Sequence, residues 1–568
     1  MKILLIQPPV QDFYQTSIRT QPIGLAYLAA SLKRYGHEVK ILDCQGEKKK
    51  SIPIPSELSY LKDLYPFNDR SPFKLYTGYY HFGMGWKEIK REIEDSKADL
   101  FGISSSFTPY YGEALEVARL IKEWDSKKIV VMGGAHVSCD PEEVLKSPLV
   151  DYVILGEGEI RFPLLLDCIE KKRFDRIGEI DGIGYRVNGR IQINFPRTFI
   201  GDLDSIPRPA RELLDLDRYR IKRKRSTMII TSRGCPHECA YCSTHLVMGS
   251  LFRKRSPEAT VQEMIECQER FDIQIFDIED DNFTYDQQRA KRLMKLIAEM
   301  FGEQTIELTA MNGISFSSLD GELLRLMKRA GFRTVNLSYV SIDPFIKKRM
   351  ERPVASFDFN EVLKGADRFG LNVIAYAIFG MPGQTIEEMV DTLIFLMGKR
   401  VLVGPSVYYP TPGTPLFEKC KNDRLLSAHP SQWRSTALSI ETKDFNRLDL
   451  ITLLRLARVI NFIKGKMDEG ELSGALTWKE LFQFSKGKKK AKVFASCPML
   501  YALSERAEAI TWIDLILMIL EERSFFSLRR DSGGKFSVVK EKSSRRVLDY
   551  FFEKAWEKSV VKGRNDYD

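Results

Sequence analysis

Short apolar runs alternate with amphipathic stretches along most of this chain. Lys2 to Gln7 reads as a strand, Gly24 to Tyr35 as a helix and Glu38 to Leu42 as a second strand. The pattern resumes with a strand at Leu100 to Ser104, a helix from Gly112 to Trp124, a strand at Lys128 to Met132, a helix after Asp140 and a strand at Tyr152 to Leu155. Strands followed by helices at this spacing predict an α/β fold, a doubly wound (Rossmann-like) parallel sheet whose ligands bind at the carboxyl ends of the strands. Those ends carry Gln7-Pro8-Pro9, Ser104-Ser105-Ser106, Gly133-Gly134-Ala135-His136 and Gly156-Glu157-Gly158-Glu159. Small residues there let backbone approach a bulky ligand.

Glu47 to Gly85, rich in Pro, Tyr and Lys, lacks periodicity and reads either as a lid near the ligand edge or as an irregular surface loop. Gly182 to Asn194 predicts a hairpin around Asn188-Gly189, and residues 195 to 225 form a link. A second alternating run begins at Thr227 to Thr231 and continues with strands at Gln274 to Ile278, Glu307 to Thr309, Thr334 to Ser338, Asn372 to Phe379 and Ser406 to Tyr409. Repeated strand–helix units predict a partial β/α barrel of the TIM type. Beyond Leu448 the period is helical, with Leu450, Leu453, Leu454, Ala457, Ile460 and Ile463 on one stripe, and a small hairpin is expected near Asp531-Ser532-Gly533-Gly534. The domain bounds implied are 1–175, a hairpin and linker at 176–225, the barrel at 226–447 and a mainly helical domain at 448–568.

At 568 residues the chain exceeds one hydrophobic core, and 43% hydrophobic with 29% charged residues is ordinary globular composition. Ala509 to Leu520 is short, carries Asp514 and reads as a buried helix rather than a membrane span. The opening Met-Lys-Ile-Leu-Leu-Ile reads as a buried strand rather than a signal peptide, so a cytoplasmic protein is expected. The net charge of +9 lies partly in runs such as Lys222 to Arg225 and Lys486 to Lys490, which read as solvated surface. No aromatic-interleaved basic motif of an RNA reader is present, so no nucleic-acid partner is expected.

Three of the nine cysteines fall in Arg233-Gly234-Cys235-Pro236-His237-Glu238-Cys239-Ala240-Tyr241-Cys242. Thiolates at Cys-x3-Cys-x2-Cys spacing on one loop suit three irons of a [4Fe–4S] cluster, with the fourth iron open to an outside ligand. A structural zinc site would draw its fourth ligand from His237 or His245, although zinc sites usually pair Cys-x2-Cys units. Disulfides are disfavoured by the absence of a secretory signal and by the single, scattered placing of the other cysteines.

With these motifs the sequence resembles the cobalamin-binding radical S-adenosylmethionine (SAM) enzymes over roughly residues 1 to 450. The cysteine triplet, Phe276 to Phe283, Gly380-Met381-Pro382-Gly383-Gln384-Thr385 and Tyr409 to Pro415 carry the likeness. The resemblance implies a cobalamin-binding first domain, a radical SAM barrel, and Cys235, Cys239 and Cys242 as ligands of a [4Fe–4S] cluster that chelates and cleaves SAM. It places Tyr241 near the adenine, Asp280 and Asp281 near the methionine amino group, Ser341 and Asp343 near the ribose, and Gly380 where the cofactor needs room. Here Ser338 to Asp343 replaces the family's more usual Gly-Ile-Glu-Ser, and each aspartate is equally suited to capping the helix that follows it.

For cobalamin the resemblance points to Pro9, Ser104, Ser106, Gly133, Gly134, His136, Gly156, Glu157 and Gly158. The Asp-x-His-x-x-Gly element that would supply a histidine to cobalt is absent, so the cofactor would bind base-off without a protein histidine, and His136 reads as a wall residue. The activity implied is cobalamin-dependent methyl transfer to an unactivated carbon, less often phosphorus, of a small metabolite or lipid, with flavodoxin or ferredoxin as electron donor. Oxidative cyclisation or rearrangement with the same cofactors, and a non-catalytic cobalamin- or metal-binding module, remain alternative readings.

Overall fold

The computed structural model describes residues 1–14, 21–46, 48–353, 357–472, 474–490, 512–531, 534 and 536–563, with side chains undescribed at 487–490. Residues 509–511 of the apolar segment, Ser532 and Gly533 of the expected hairpin turn, and the side chains of Lys488 to Lys490 therefore lie outside the described residues.

The first sheet contains β1 (Lys2–Gln7), β2 (Glu38–Asp43), β3 (Leu100–Ser104), β4 (Ile129–Gly133), β5 (Tyr152–Ile154), β6 (Ile183–Val187) and β7 (Arg190–Asn194). Its order is β7-β6-β5-β4-β3-β1-β2; β1 to β5 run parallel, and the hairpin β6–β7 adds an antiparallel edge. Strand order reverses between β1 and β3, which opens the switch-point crevice between the Gln7-Pro8-Pro9 and Ser104-Ser105-Ser106 loops. Helices α1 (Ile23–Arg34) and α2 (Gly158–Glu170) cover one face through Leu25, Leu32, Phe162 and Leu166. The helices Trp86–Ser96, Tyr111–Trp124 and Pro141–Lys146 cover the other. Trp86–Ser96 escapes sequence periodicity because only Ile89 and Ile93 anchor it.

Six parallel strands build the partial barrel: β8 (Lys224–Ile229), β9 (Ile273–Ile278), β10 (Glu307–Thr309), β11 (Thr334–Val340), β12 (Asn372–Phe379) and β13 (Leu402–Val407). Between β10 and β11 two isolated bridges carry the ladder: Leu308 N donates to Gly331 O at 3.1 Å, and Ile314 N donates to Asn336 O at 2.6 Å while its carbonyl accepts from Ser338 N at 2.9 Å. The last strand starts four residues before the predicted Ser406, because Gly404 and Pro405 interrupt the apolar run. Gly404 is required there: a Cβ would stand 2.4 Å from the Tyr376 ring.

The segment 48–85 is neither a free lid nor a loose loop. Lys49–Ser51 and Tyr80–Phe82 form an antiparallel ribbon with Val10–Asp12, while Leu58, Leu61, Tyr65 and Phe73 are buried in the barrel's core. The Tyr65 hydroxyl donates to Thr436 O at 2.5 Å, and the Ser71 side chain bonds Asp69, which also receives Leu528 N at 3.1 Å. The segment thus straps the first sheet to the barrel and to the C-terminal part.

There the helix Arg447–Asp468 buries every residue of the predicted stripe and starts with an Asn446–Asp449 capping box. Lys464 on this helix, fully buried, donates to the carbonyls of Leu396, Lys399 and Val401 at 3.0, 2.6 and 2.9 Å, which ends the helix Ile386–Met397. The hairpin Phe526–Arg530 with Phe536–Lys540 and the helix Arg545–Ala555 complete this part. Among the described residues no helix is long and apolar enough to cross a membrane.

Candidate active site

Strand β8 delivers the cysteine loop, and hydrogen bonds shape that loop before any ligand arrives. Asp280, buried at the end of β9, accepts from Thr231 N at 2.6 Å, from the Thr231 hydroxyl and from Ser232 Oγ at 2.7 Å. Asp281 accepts from Gly234 N at 2.8 Å and from Thr244 Oγ1 at 3.4 Å. Gly234 has φ +80°, and a Cβ there would lie 2.3 Å from Leu251 O, so the turn into Cys235 needs glycine.

Asn282 Nδ2 donates to Cys235 Sγ at 3.5 Å, and Thr244 Oγ1 lies 3.3 Å from Cys242 Sγ. The Arg352 guanidinium donates to Ser338 O at 3.1 Å and Ser338 Oγ at 3.2 Å and places its positive charge beside Cys239 and Tyr241. Burial pushes the Cys235 and Cys239 thiols up, while Asn282 and Arg352 respectively oppose that shift. Three sulfurs on one loop, met by neutral donors and a guanidinium, fit an anionic cluster. Among the described residues no group of three or more His, Cys, Asp or Glu converges on a single metal ion.

Across from this loop lies a cavity of about 380 Å³ at the switch point of the first sheet. Its deep part is an apolar slot between the sheet and the helices α1 and α2, walled by Leu5, Val131, Leu25, Leu28 and Phe162. Gly102 keeps the slot open, since a Cβ there would meet Leu5 at 2.6 Å and Phe162 at 3.3 Å. Pro9, Ser104, Ser106, Gly133, Gly134, Gly156 and Gly158 all line the cavity, and so do Arg233, Val247, Met248 and Glu279 from the barrel. Gly134, at φ +117°, packs against the backbone of Ser105. A planar macrocycle at the mouth with a tail in the slot suits this shape. Two buried donors in the wall, Gln21 Nε2 and Ser105 Oγ, have no hydrogen-bond partner.

Seven of the assigned residues make other contacts in the structure. Glu157 lines the cavity but its fully buried carboxylate is spent on an interdomain clamp, accepting from Arg233 Nη1 at 2.9 Å, Arg253 Nη1 at 2.7 Å and Ile200 N at 2.7 Å. Arg233 also pairs with Glu159 at 2.6 Å. His136 does not line the cavity; its ring packs on Tyr111, bonds Thr108 Oγ1 at 3.1 Å, and burial pushes its pKa down to about 4. Ser341 is completely buried, bonded to Glu388 and to Asp343 N. Asp343 caps the helix α3 (Pro344–Arg349) by accepting from Phe345 N at 2.6 Å and Ile346 N at 3.3 Å. The room beside Gly380 is filled, because a Cβ there would touch Leu450 at 3.0 Å. Asp280 and Asp281, for their part, hold the cysteine loop rather than face open space.

Sequence reading missed Asn282, Arg352, Gln21 and the carboxyl pair Asp277–Glu279. The parity of β9 is the signal for the last: Ile275, Asp277 and Glu279 alternate with Phe276 and Ile278, and Phe276 packs outward on Phe301. Asp277 accepts from Thr309 Oγ1 at 2.7 Å, and Glu279 from Asn312 Nδ2 at 2.5 Å. Burial, with Asp277 beside it, pushes Glu279 up to about 8.

Residues 229–396 match the family model of the radical SAM superfamily, and residues 78–166 that of the B12 binding domain. The chain is 28% identical over 472 residues to an uncharacterized methyltransferase of Pyrococcus horikoshii, spanning 82% of this chain and 94% of that protein. It is 29% identical over 476 residues to the cytidylyl-2-hydroxyethylphosphonate methyltransferase of Streptomyces wedmorensis, spanning 77% and 84%. The solved radical SAM methyltransferase TsrM from Kitasatospora setae, with cobalamin and a [4Fe–4S] cluster bound, shares the fold at TM-score 0.57 and 18% identity, over 77% of this chain and 84% of TsrM. Two matched regions in this order, both contributing to one cavity, make the chain similar to radical SAM enzymes that carry a B12 binding domain.

Proposed function

We propose that the protein is a cobalamin-dependent radical SAM methyltransferase acting on an unactivated carbon, or less often a phosphorus, of a small metabolite or lipid. The observation that carries this reading is the shared cavity: Val247 and Met248, which follow the cysteine loop, and Arg233, which precedes it, wall the same space as the switch-point loops of the first sheet. A cavity walled by residues that flank the cysteine loop and by the switch-point loops would let a substrate lie between the two cofactors.

When bound, the cluster, SAM and cobalamin would supply one-electron cleavage of SAM and a transferable methyl group. The chain's own residues hold and shield. Cys235, Cys239 and Cys242 would ligate the cluster, Asn282 would donate toward its sulfurs with the Arg352 charge beside them, and Asp280 and Asp281 fix the loop. Met228, Ile230, Val247 and Met248 give the barrel side of the cavity an apolar stretch beside Arg233 and Glu279, which limits water at the reacting centre. The names of the two methyltransferase relatives support methyl transfer, and cytidylyl-2-hydroxyethylphosphonate is accordingly the first acceptor to test.

The experiment is anaerobic incubation of protein with reconstituted cluster, cobalamin, a reductant and methyl-labelled SAM. Label in the acceptor, with S-adenosylhomocysteine formed beside 5′-deoxyadenosine, is the expected result. 5′-Deoxyadenosine alone with an altered, unlabelled product would favour cyclisation or rearrangement. No transfer of label to any acceptor in a panel of metabolites and lipids would end the proposal.

A further inference from the structure

Native folds leave few buried donors without a partner, and each exception asks for an explanation. Two such exceptions face one another's cavity here. Gln21 is only 5% exposed, and its Oε1 accepts from Met228 N at 3.0 Å and from Thr227 Oγ1 at 2.8 Å on β8. Because a backbone N–H can only donate, that contact fixes which end of the amide is oxygen, and Nε2, on a residue that lines the cavity, is left without a partner. Ser105 is 3% exposed; its backbone N–H donates to Gly133 O at 2.7 Å and its carbonyl accepts from His136 N at 3.1 Å, while its hydroxyl has no partner.

One donor is tied to the barrel and the other to the switch-point loop. Both lie in the wall of the cavity whose slot suits a macrocycle with a tail. The rim of a corrin ring carries carboxamide groups, whose oxygens accept hydrogen bonds. We infer that Gln21 Nε2 and Ser105 Oγ are direct contacts to the amide oxygens of a corrinoid in this cavity, a role that rests on the cobalamin reading above. Gln21 then has a second consequence. Its amide joins the ligand on one side to β8 on the other, and β8 runs directly into the cysteine loop, so an occupied cavity stiffens the strand that presents the cluster.

The test is an equilibrium titration of cluster-free protein with hydroxocobalamin, followed by the change in corrin absorbance, for the parent, Ser105→Ala and Gln21→Leu. Each variant loses one hydrogen bond to the corrinoid, and Gln21→Leu also loses the two that Oε1 accepts from β8, so affinity should fall about tenfold in Ser105→Ala and at least as much in Gln21→Leu. Ser105→Ala removes a hydroxyl that bonds nothing in the free protein, so its melting temperature without cobalamin should not drop. The extra thermal protection that cobalamin gives the parent should shrink in Gln21→Leu. Affinity within twofold of the parent in both variants would overturn the inference, and would assign the two donors to ordered water. Unchanged cobalamin affinity with a raised KM for cytidylyl-2-hydroxyethylphosphonate would overturn it in favour of a substrate contact. If the parent itself binds no cobalamin, the cobalamin reading fails first, and the inference falls with it.

Discussion

Replacing Glu157 tests whether the first domain and the barrel are held together by a buried charge network. The carboxylate has no solvent exposure and touches two guanidinium groups and the Ile200 amide. In Glu157→Gln, Arg233 keeps its pair with Glu159 at 2.6 Å, but Arg253 keeps only the carbonyls of Ile200 and Met248. One cation is thus stranded at 7% exposure. Removing one partner of a buried pair costs about 3–5 kcal/mol, and the amide's retained acceptor puts Gln near the lower end, at about 3 kcal/mol.

Denaturant unfolding under anaerobic conditions measures this directly. The double variant Glu157→Gln/Arg253→Met should regain at least about 1 kcal/mol of the loss, because it removes the stranded charge. Iron retention after reconstitution should fall in the single variant, since Arg233 is two residues before Cys235. The reasoning is refuted if Glu157→Gln stays within about 1 kcal/mol of the parent, or if the double variant is no more stable than the single. Lost cobalamin affinity at unchanged stability would return Glu157 to the role of a ligand contact.

Three further outcomes are expected. Glu279 holds a proton in the folded state up to about 8 that the unfolded chain releases near the ordinary carboxyl value, so stability should fall as pH rises from about 5 to 8; Glu279→Gln should flatten that slope in denaturation midpoints taken at pH 6 and pH 8.5, and parallel profiles would argue against it. Gly134→Ala puts a Cβ 2.5 Å from Ser105 O at φ +117°, so it should cost about 1–3 kcal/mol and weaken cobalamin binding in the same corrin titration. Asp281→Asn turns one acceptor toward Gly234 N into an ambivalent amide, and should lower iron bound per chain after reconstitution by at least twofold while leaving the cobalamin titration unchanged.

What was legible in the sequence was local. Four strands of the first sheet announce their own ends with Pro9, Ser104, Gly133 and Gly156, so those loops could be read without coordinates, whereas the switch point between them needed the strand order. The rest depended on partners far along the chain. Glu157 looks like a loop residue beside a ligand until Arg233 and Arg253, 76 and 96 positions away, claim it. Gln21 looks like a linker residue, yet its bonds go to residues 206 and 207 positions on. Ser341 and Asp343 show a different limit: the side chains that suit a ribose hydroxyl also suit a helix cap or a buried carboxyl, and only the geometry of α3 and Glu388 separates the two.

The same geometry explains why so many carboxylates near the cysteines do not compete with them. Three thiolates and a cluster concentrate negative charge on one loop, and any free carboxylate nearby would raise the cost of forming it. Around this loop the packed carboxylates are occupied, while Glu238, within it, is exposed to solvent. Asp280 and Asp281 accept from backbone and hydroxyl donors, Glu157 and Glu159 are paired with arginine, and Glu279 keeps its proton. Arg352 is the cation that remains turned toward the sulfurs. The acidic residues that the motif places beside the cluster therefore prepare its site by being already satisfied, and the positions where a carboxylate is freed by mutation should be those where iron is lost.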